Sequence, residues 1–220
     1  MKSYEIYLSE WSMLKSSAPP GSVIWITGLS DSGKTTLARH FASRLRSLGK
    51  PPTLLDGDQL REVFWDHQTF DRKSRMQLGF KYASLCKMLA QQGHTVIIAT
   101  IALFREIHTW NRQNLPGYFE VFLDTPLEEL RKRDSKGIYR RFDAGEISNV
   151  YGLDLKADIP PCPEFRVRFV PGKSPEAVAD ELTTKFIQSL KENHHEQKGI
   201  CRHERGSCAP WTFEYHQKSI

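Results

Sequence analysis

A chain of 220 residues with 39% hydrophobic and 11% aromatic content has the size and make-up of one globular domain with a sizeable core. Thirty-one basic against 26 acidic side chains leave a formal charge of +5, which suits anionic ligands but is too diffuse for a nucleic-acid surface. No stretch approaches the roughly 20 apolar residues of a membrane span and MKSYEIYLSEWSMLK lacks the apolar core of a secretory signal, so the expectation is a cytoplasmic protein with no membrane partner.

Residues 1–20 run into SSAPPGS, residues 16–22, a proline and glycine break that reads as a lead-in to a domain over 21–190. SVIWIT, residues 22–27, is a short β-branched run fit for a buried parallel strand. Leu37, Phe41, Leu45 and Leu48 then recur at helical spacing until Gly49 and Pro51 end the pattern. TLLD, residues 53–56, predicts a second strand that finishes in a carboxylate. Leu78, Tyr82, Leu85 and Leu89 mark one face of a long helix closed by Gly93. HTVIIAT (94–100) and YFEVFLD (118–124) repeat the strand plan, and RVRFV (166–170) is the expected last strand. Pro175 opens a final helix patterned by Val178, Leu182, Phe186 and Leu190.

Apolar periodicity stops near residue 191, and 191–220 is expected to be a loosely ordered tail. It gathers His194, His195, Cys201, His203 and Cys208, which are zinc-type ligands, yet their spacing matches no paired finger pattern. With Cys86 and Cys162 the four cysteines are too unevenly spread for a disulfide framework, which fits a reducing compartment.

Alternation of buried strands with helices implies an α/β fold, a parallel sheet with helices on both faces, whose ligands bind beyond the carboxyl ends of the strands. The polar residues fall there. Gly28 to Thr35 follow the first strand, Asp56 and Asp58 the second, Thr100 to Arg105 the third and Asp124 the fourth.

GLSDSGKTT, residues 28–36, is a complete phosphate-binding loop, and it makes the expected architecture the three-layer P-loop NTPase fold. Gly28, Leu29, Ser30, Asp31, Ser32 and Gly33 would curl their N–H groups around phosphate oxygens of ATP, continued by Lys34, Thr35 and Thr36. Lys34 is placed to reach the β- and γ-phosphates and the Thr35 hydroxyl to hold Mg²⁺. Asp31 departs from the glycine or alanine expected at its position. Its carboxylate should face outward, toward a lid arginine or solvent, and a tolerated surface aspartate is the plainer reading.

LLDGDQLRE, residues 54–62, sets two carboxylates two apart at a strand end, with Arg61 about one helical turn on. Phosphoryl transfer needs an acceptor hydroxyl in line and a carboxylate to receive its proton. Asp58 is assigned to the hydroxyl and Asp56 to Mg²⁺ through water. A DG turn capping a helix would account for one of these aspartates but not both. RKRDSKGIYRR, residues 131–141, reads in isolation as a solvated basic helix face. Beside a phosphate-binding loop it reads as part of a lid over residues 131–150, with Arg133 toward ATP, Lys136, and one of Arg140 or Arg141.

Through WITGLSDSGKTTLA, LLDGDQLRE, VFLDTPLEELRKRDSKGIYRR and AGEISNVYGLDL, the chain from about residue 22 to 165 resembles the adenylylsulfate kinases. These move the γ-phosphate of ATP to the 3′-hydroxyl of adenosine 5′-phosphosulfate. The resemblance implies ATP and Mg²⁺ as cofactors, small-molecule nucleotide substrates and a homodimer. It implies catalytic roles for Lys34, Asp58 and Lys136, with Gly137 beside Lys136 in the lid. Arg61 and Arg75 fall on the family's substrate-binding arginines, Phe70 on an aromatic against the acceptor's base, and Ile101 in the acceptor segment.

The departures cluster on the acceptor side. Leu78 replaces an asparagine, Ile101-Ala102-Leu103 replaces Ile-Ser-Pro, and Val150 stands where a second phenylalanine would complete a sandwich around adenine. REVF, TWNRQN, RDSKGIYRR and EISNV look closest to a branch found among surface-polysaccharide genes, where cytidine diphosphoramidate is one acceptor. The sequence reading places adenosine 5′-phosphosulfate first and a cytidine-type acceptor as its alternative. A non-catalytic nucleotide-binding protein and a polynucleotide 5′-kinase are the readings of other kinds.

Overall fold

The computed structural model describes residues 19–64 and 71–197. The residues before them, Phe70 and the side chains of the C-terminal His/Cys run lie outside the described residues. Five short apolar runs form strands: β1 Val23–Gly28, β2 Thr53–Asp56, β3 Val96–Ala99, β4 Phe119–Asp124 and β5 Phe165–Arg168. They make one sheet in the order β2-β3-β1-β4-β5, and each neighbouring pair is parallel. Parallel neighbours need long crossovers. The connections carry α1 Lys34–Ser47, α2 Gly57–Val63, α3 Arg72–Gln91, α4 Arg105–Asn114, α5 Leu127–Arg133 and α6 Ile138–Asp143, and α7 Pro175–Gln197 follows the last strand.

Successive side chains of a strand face opposite ways, so β1 feeds two cores. Val23 and Trp25 pack with Ile98 of β3 and with Tyr82, Ala83 and Cys86 of α3. Ile24 and Ile26 pack with Ile97 on the other face, under Phe41 and Leu45 of α1 and Leu182 and Phe186 of α7. This is the three-layer arrangement expected from the alternation of elements. Its register levels the strand ends: Asp56 stands beside Ala99, Ala99 beside Ile26, and Gly28 beside Leu123. Loops from four strands therefore open on one edge.

Two expectations need correction. Leu48 is 54% exposed, because α1 has already ended at Ser47 and the residue sits at the C-cap. In α3 the buried stripe is Gly79, Tyr82, Ala83, Cys86 and Ala90, while Leu78, Leu85 and Leu89 pack half-buried along its edge. Small residues let this helix approach α4 closely: a Cβ on Gly79 would stand 2.2 Å from Cδ1 of Ile107. The last helix also runs on to Gln197, past the point where its apolar spacing ends. Cys86 is buried and free, but Cys162 is disulfide-bonded, so the cysteines are not all reduced thiols. No described helix is long and apolar enough to cross a membrane.

One buried polar cluster ties the sheet to the segment before β5. Glu120 of β4 is 1% exposed. Its Oε1 meets Nδ1 of His108 at 2.7 Å and accepts from the Tyr118 hydroxyl at 3.0 Å, and its Oε2 accepts from Nη2 of Arg112 at 3.0 Å. Arg112 also reaches Glu164 at 2.6 Å and donates to the Cys162 carbonyl at 3.1 Å, while Nε2 of His108 lies 3.0 Å from the Asp158 carbonyl. Burial alone would raise the Glu120 carboxyl, but the bonds and charges of His108 and Arg112 outweigh it and hold the group below its ordinary 4.5.

Removing one member of such a cluster leaves buried partners uncompensated. Glu120→Ala should cost about 3–5 kcal/mol of stability, read as a lower urea midpoint. A folded-state value below 4.5 means the Glu120 contribution is full above that pH and is lost as acid carries the pH down through the lowered value. A loss under about 1 kcal/mol would show the cluster to be energetically idle.

Candidate active site

The loop between β1 and α1 has the curl its glycines permit. Gly33, the N-cap of α1, has φ 95°, and a Cβ on Gly28 would stand 2.8 Å from Oγ of Ser32 and 2.9 Å from the Leu123 carbonyl. The Lys34 ammonium donates to the Leu29 carbonyl at 2.6 Å, folded back over its own loop. Burial pushes it down from 10.5 to about 8, against the opposing pull of Asp58 and a further push from Lys136.

Across the cleft, Asp56 ends β2 and serves two partners. Its Oδ1 accepts from the Asp58 backbone N–H at 2.9 Å, capping α2, and its Oδ2 accepts from the Thr35 hydroxyl at 2.7 Å. The helix-cap reading of the DG turn is therefore correct for Asp56, and so is its closeness to the phosphate-binding loop. A hydroxyl and a carboxylate in contact are hard oxygen donors of the kind that would hold Mg²⁺.

Asp58, on the first turn of α2, accepts from the Lys136 ammonium and lies 3.4 Å from Nη1 of Arg61. Its carboxyl would be raised by burial, but Lys136, then Arg61 and Lys34, hold it below the ordinary aspartate range. Asp58 and Lys136 are each about half exposed, at 52% and 55%. A pair that wet is worth little by itself and is easily re-paired when an anion enters.

These groups line one cleft of about 740 Å³. Ser30, Asp31, Gly33, Lys34, Thr35 and Thr36 form its loop side; Asp56, Asp58, Arg61, Arg75 and Ile101 form the far side; Arg133 and Lys136 close it. Of the predicted residues, Gly28, Leu29 and Ser32 do not line it. Leu29 packs its side chain near Gly152 and Ser32 is buried beneath the loop. Phe70 lies outside the described residues.

The two arginines left open in RKRDSKGIYRR lie differently. Arg141 lines the cleft, whereas Arg140 turns to Asp134 at 3.3 Å with its side chain 81% exposed. Asp31 does not simply face solvent: its Oδ1 accepts from the Ser135 hydroxyl and its carbonyl accepts from Arg133 at 3.1 Å. Tyr151 was missed. It is buried, its ring lies 5.1 Å under the Arg75 guanidinium and 5.4 Å from the Phe104 ring, and it lines the cleft beside Val150. An aromatic next to Val150 was the only available signal. Asp154 shapes this turn, accepting from the backbone N–H groups of Asn149 at 2.7 Å and Val150 at 2.6 Å.

A glycine loop, a lysine, a hydroxyl–carboxylate pair and a second carboxylate held by Lys136 and Arg61 make a phosphoryl-transfer constellation. The family model described as adenylylsulphate kinase matches residues 20–168. The chain belongs to the adenylylsulphate kinase family. As a member it is a phosphotransferase of the P-loop kinase fold. It is 41% identical over 138 residues to a cytidine diphosphoramidate kinase of Campylobacter jejuni, covering 63% of this chain and 81% of the relative. It is 34% identical over 177 residues to an adenylyl-sulfate kinase of Synechococcus, covering 80% and 98%. Among solved structures, the Mycobacterium tuberculosis APS kinase in complex with AMPPNP and APS superposes with a TM-score of 0.70 at 32% identity, covering 79% of this chain and 99% of that one.

The lowered Lys34 value gives a direct test of this kinase's loop. Inorganic tripolyphosphate binding, followed by calorimetry, should weaken as pH rises past about 8 and the ammonium discharges. Lys34→Ala should bind weakly at every pH. Retention of the alkaline limb in that variant would assign it to another group.

Proposed function

We propose that this kinase transfers the γ-phosphate of Mg·ATP to the 3′-hydroxyl of a nucleotide whose 5′-phosphate carries a second polar group, with adenosine 5′-phosphosulfate as acceptor. The observation that carries the reading is the meeting of Thr35, Asp56, Asp58 and Lys136 between the phosphate-binding loop and the start of α2.

In this reading the loop amides and Lys34 hold the donor phosphates, with Lys34 exchanging the Leu29 carbonyl for phosphate oxygens. Thr35 and Asp56 would hold Mg²⁺, whose charge offsets that of the phosphates when it is bound. Asp58, kept ionised by Lys136 and Arg61, accepts a hydrogen bond from the acceptor hydroxyl and orients it in line. A carboxyl with a lowered value is a weak base, so it takes the proton late, as the loose transition state collapses toward product. Arg61 and Arg75 grip the acceptor's anionic group; the ring of Tyr151 under Arg75 fixes the guanidinium plane before substrate arrives. Lys136 and Arg141 balance charge on the moving phosphoryl group, and Arg133 supports the nucleotide.

A second acceptor, cytidine diphosphoramidate, is favoured by two specific observations. Val150 lines the cleft and is 5% exposed where a stacking ring is expected for adenine, and the Campylobacter relative is the more similar of the two described above. A valine in place of a ring forfeits stacking worth on the order of 1 kcal/mol, which a larger base feels more than a smaller one.

Coupled ADP release with the two acceptors at matched concentrations tests the acceptor directly. Val150→Phe should move preference toward the adenine acceptor by about fivefold, in line with a stacking gain of about 1 kcal/mol. Lys34→Ala or Asp58→Asn should lower kcat by at least about 100-fold with either acceptor. Full turnover in either variant overturns the mechanism, and ATP binding without acceptor-dependent ADP overturns the kinase reading.

A further inference from the structure

The phosphate-binding loop of this protein carries a carboxylate that phosphate binding does not call for. Asp31 occupies the left-handed region, with φ 59°, which aspartate adopts more readily than most residues. Its Oδ1 accepts from the Ser135 hydroxyl, its backbone carbonyl accepts from Arg133 at 3.1 Å, and the neighbouring Ser30 carbonyl accepts from the Tyr139 hydroxyl at 3.0 Å. Three bonds thus join two adjacent loop residues to residues 133–139, from the end of α5 to the first turn of α6. Its other oxygen, Oδ2, is buried with no partner among the described residues. Such an atom costs stability, so the fold alone gives no reason for a carboxylate here.

The far side of these bonds is a stiff unit. Asp134 is 7% exposed, and its carboxylate accepts from the backbone N–H groups of Tyr139 and Arg140, each at 3.0 Å. That turn fixes residues 134–140 relative to one another. Ser135 adjoins Lys136, and Lys136 donates to Asp58. Anchoring Ser135 therefore sets where the Lys136 ammonium can reach.

We propose that Asp31 is a positioning residue: through Ser135 it locks the lid segment to the phosphate-binding loop and so seats Lys136 against Asp58. The inference rests on the kinase reading for its activity test and not for its structural one. The Asp31 carboxylate is taken up by Ser135, and it acts by removing freedom from Lys136. A lid with that anchor cut samples open positions in which Lys136 leaves Asp58, and each such excursion is lost to catalysis.

Four variants test it: Asp31→Ala, Ser135→Ala, the double Asp31→Ala/Ser135→Ala, and Asp31→Asn, which keeps an oxygen that accepts a hydrogen bond. The two single alanine variants should each lower kcat about tenfold without raising KM for ATP, and the double should lose no more than either. Asp31→Asn should recover most of the loss. Additive losses, or a raised KM with kcat unchanged, would overturn the proposal.

Hydrogen exchange gives a readout independent of turnover. Amides of residues 134–141 should exchange faster in both alanine variants and return to wild-type protection in Asp31→Asn. Wild-type protection in Asp31→Ala sinks the positioning role. A wild-type protein that releases no ADP with either acceptor sinks the proposed function instead, while exchange still decides the role of Asp31.

Discussion

The carboxylate of Asp56 accepts hydrogen bonds from both sides of the cleft. One oxygen starts α2 through the Asp58 amide and the other takes the Thr35 hydroxyl at the head of α1. Donor-side and acceptor-side helices are thereby fixed to the end of one strand. The spacing of Lys34, Asp58 and Arg61 follows from that junction, since each is within a helical turn of a group Asp56 holds. Among the described residues β2 is an edge strand paired with β3, and this side-chain bond, together with the Tyr82 hydroxyl on the Gly57 carbonyl at 3.0 Å, adds to the ladder at its end.

Electrostatics then give the cleft two kinds of cation. Lys34 is partly desolvated and pushed toward 8, so its charge is weakly screened and responds strongly to an arriving phosphate. Lys136 and Arg61 are wetter and already spend their charge on Asp58. In the proposed function the first kind would read the donor and the second would trade partners as the acceptor enters. The lowered Asp58 carboxyl suits orientation of a hydroxyl better than early removal of its proton.

Much of this could be read from residue order, for physical reasons that also explain the failures. Three of the parallel strands here are short apolar runs ending in glycine or aspartate, and SVIWIT and YFEVFLD, buried on both faces, and the half-buried TLLD advertise themselves within a residue or two. The loop motif and the aspartate pair depend on local spacing, so Lys34, Thr35, Asp56 and Asp58 meet as their positions predict. In α3 leucine spacing does not mark the buried stripe, because a close helix contact selects Gly79, Ala83 and Ala90. Tyr151, and the choice of Arg141 over Arg140, hang on how a loop lies against distant α3 and on a single buried aspartate. Glu120 is one polar letter in an apolar strand, and nothing in its neighbours discloses His108, Arg112 and Glu164 gathered around it.

The wall that carries Val150 and Tyr151 belongs to a stretch clamped at its far end by the Glu120 cluster, through the Asp158 and Cys162 carbonyls, and turned at its near end by Asp154. It lends the central sheet no strand of its own before β5. In the proposed function the acceptor's base meets a panel hung from a frame that answers to other forces, while Arg61 and Arg75 hold its anionic group from the frame itself. Side chains of such a panel can change without moving the frame.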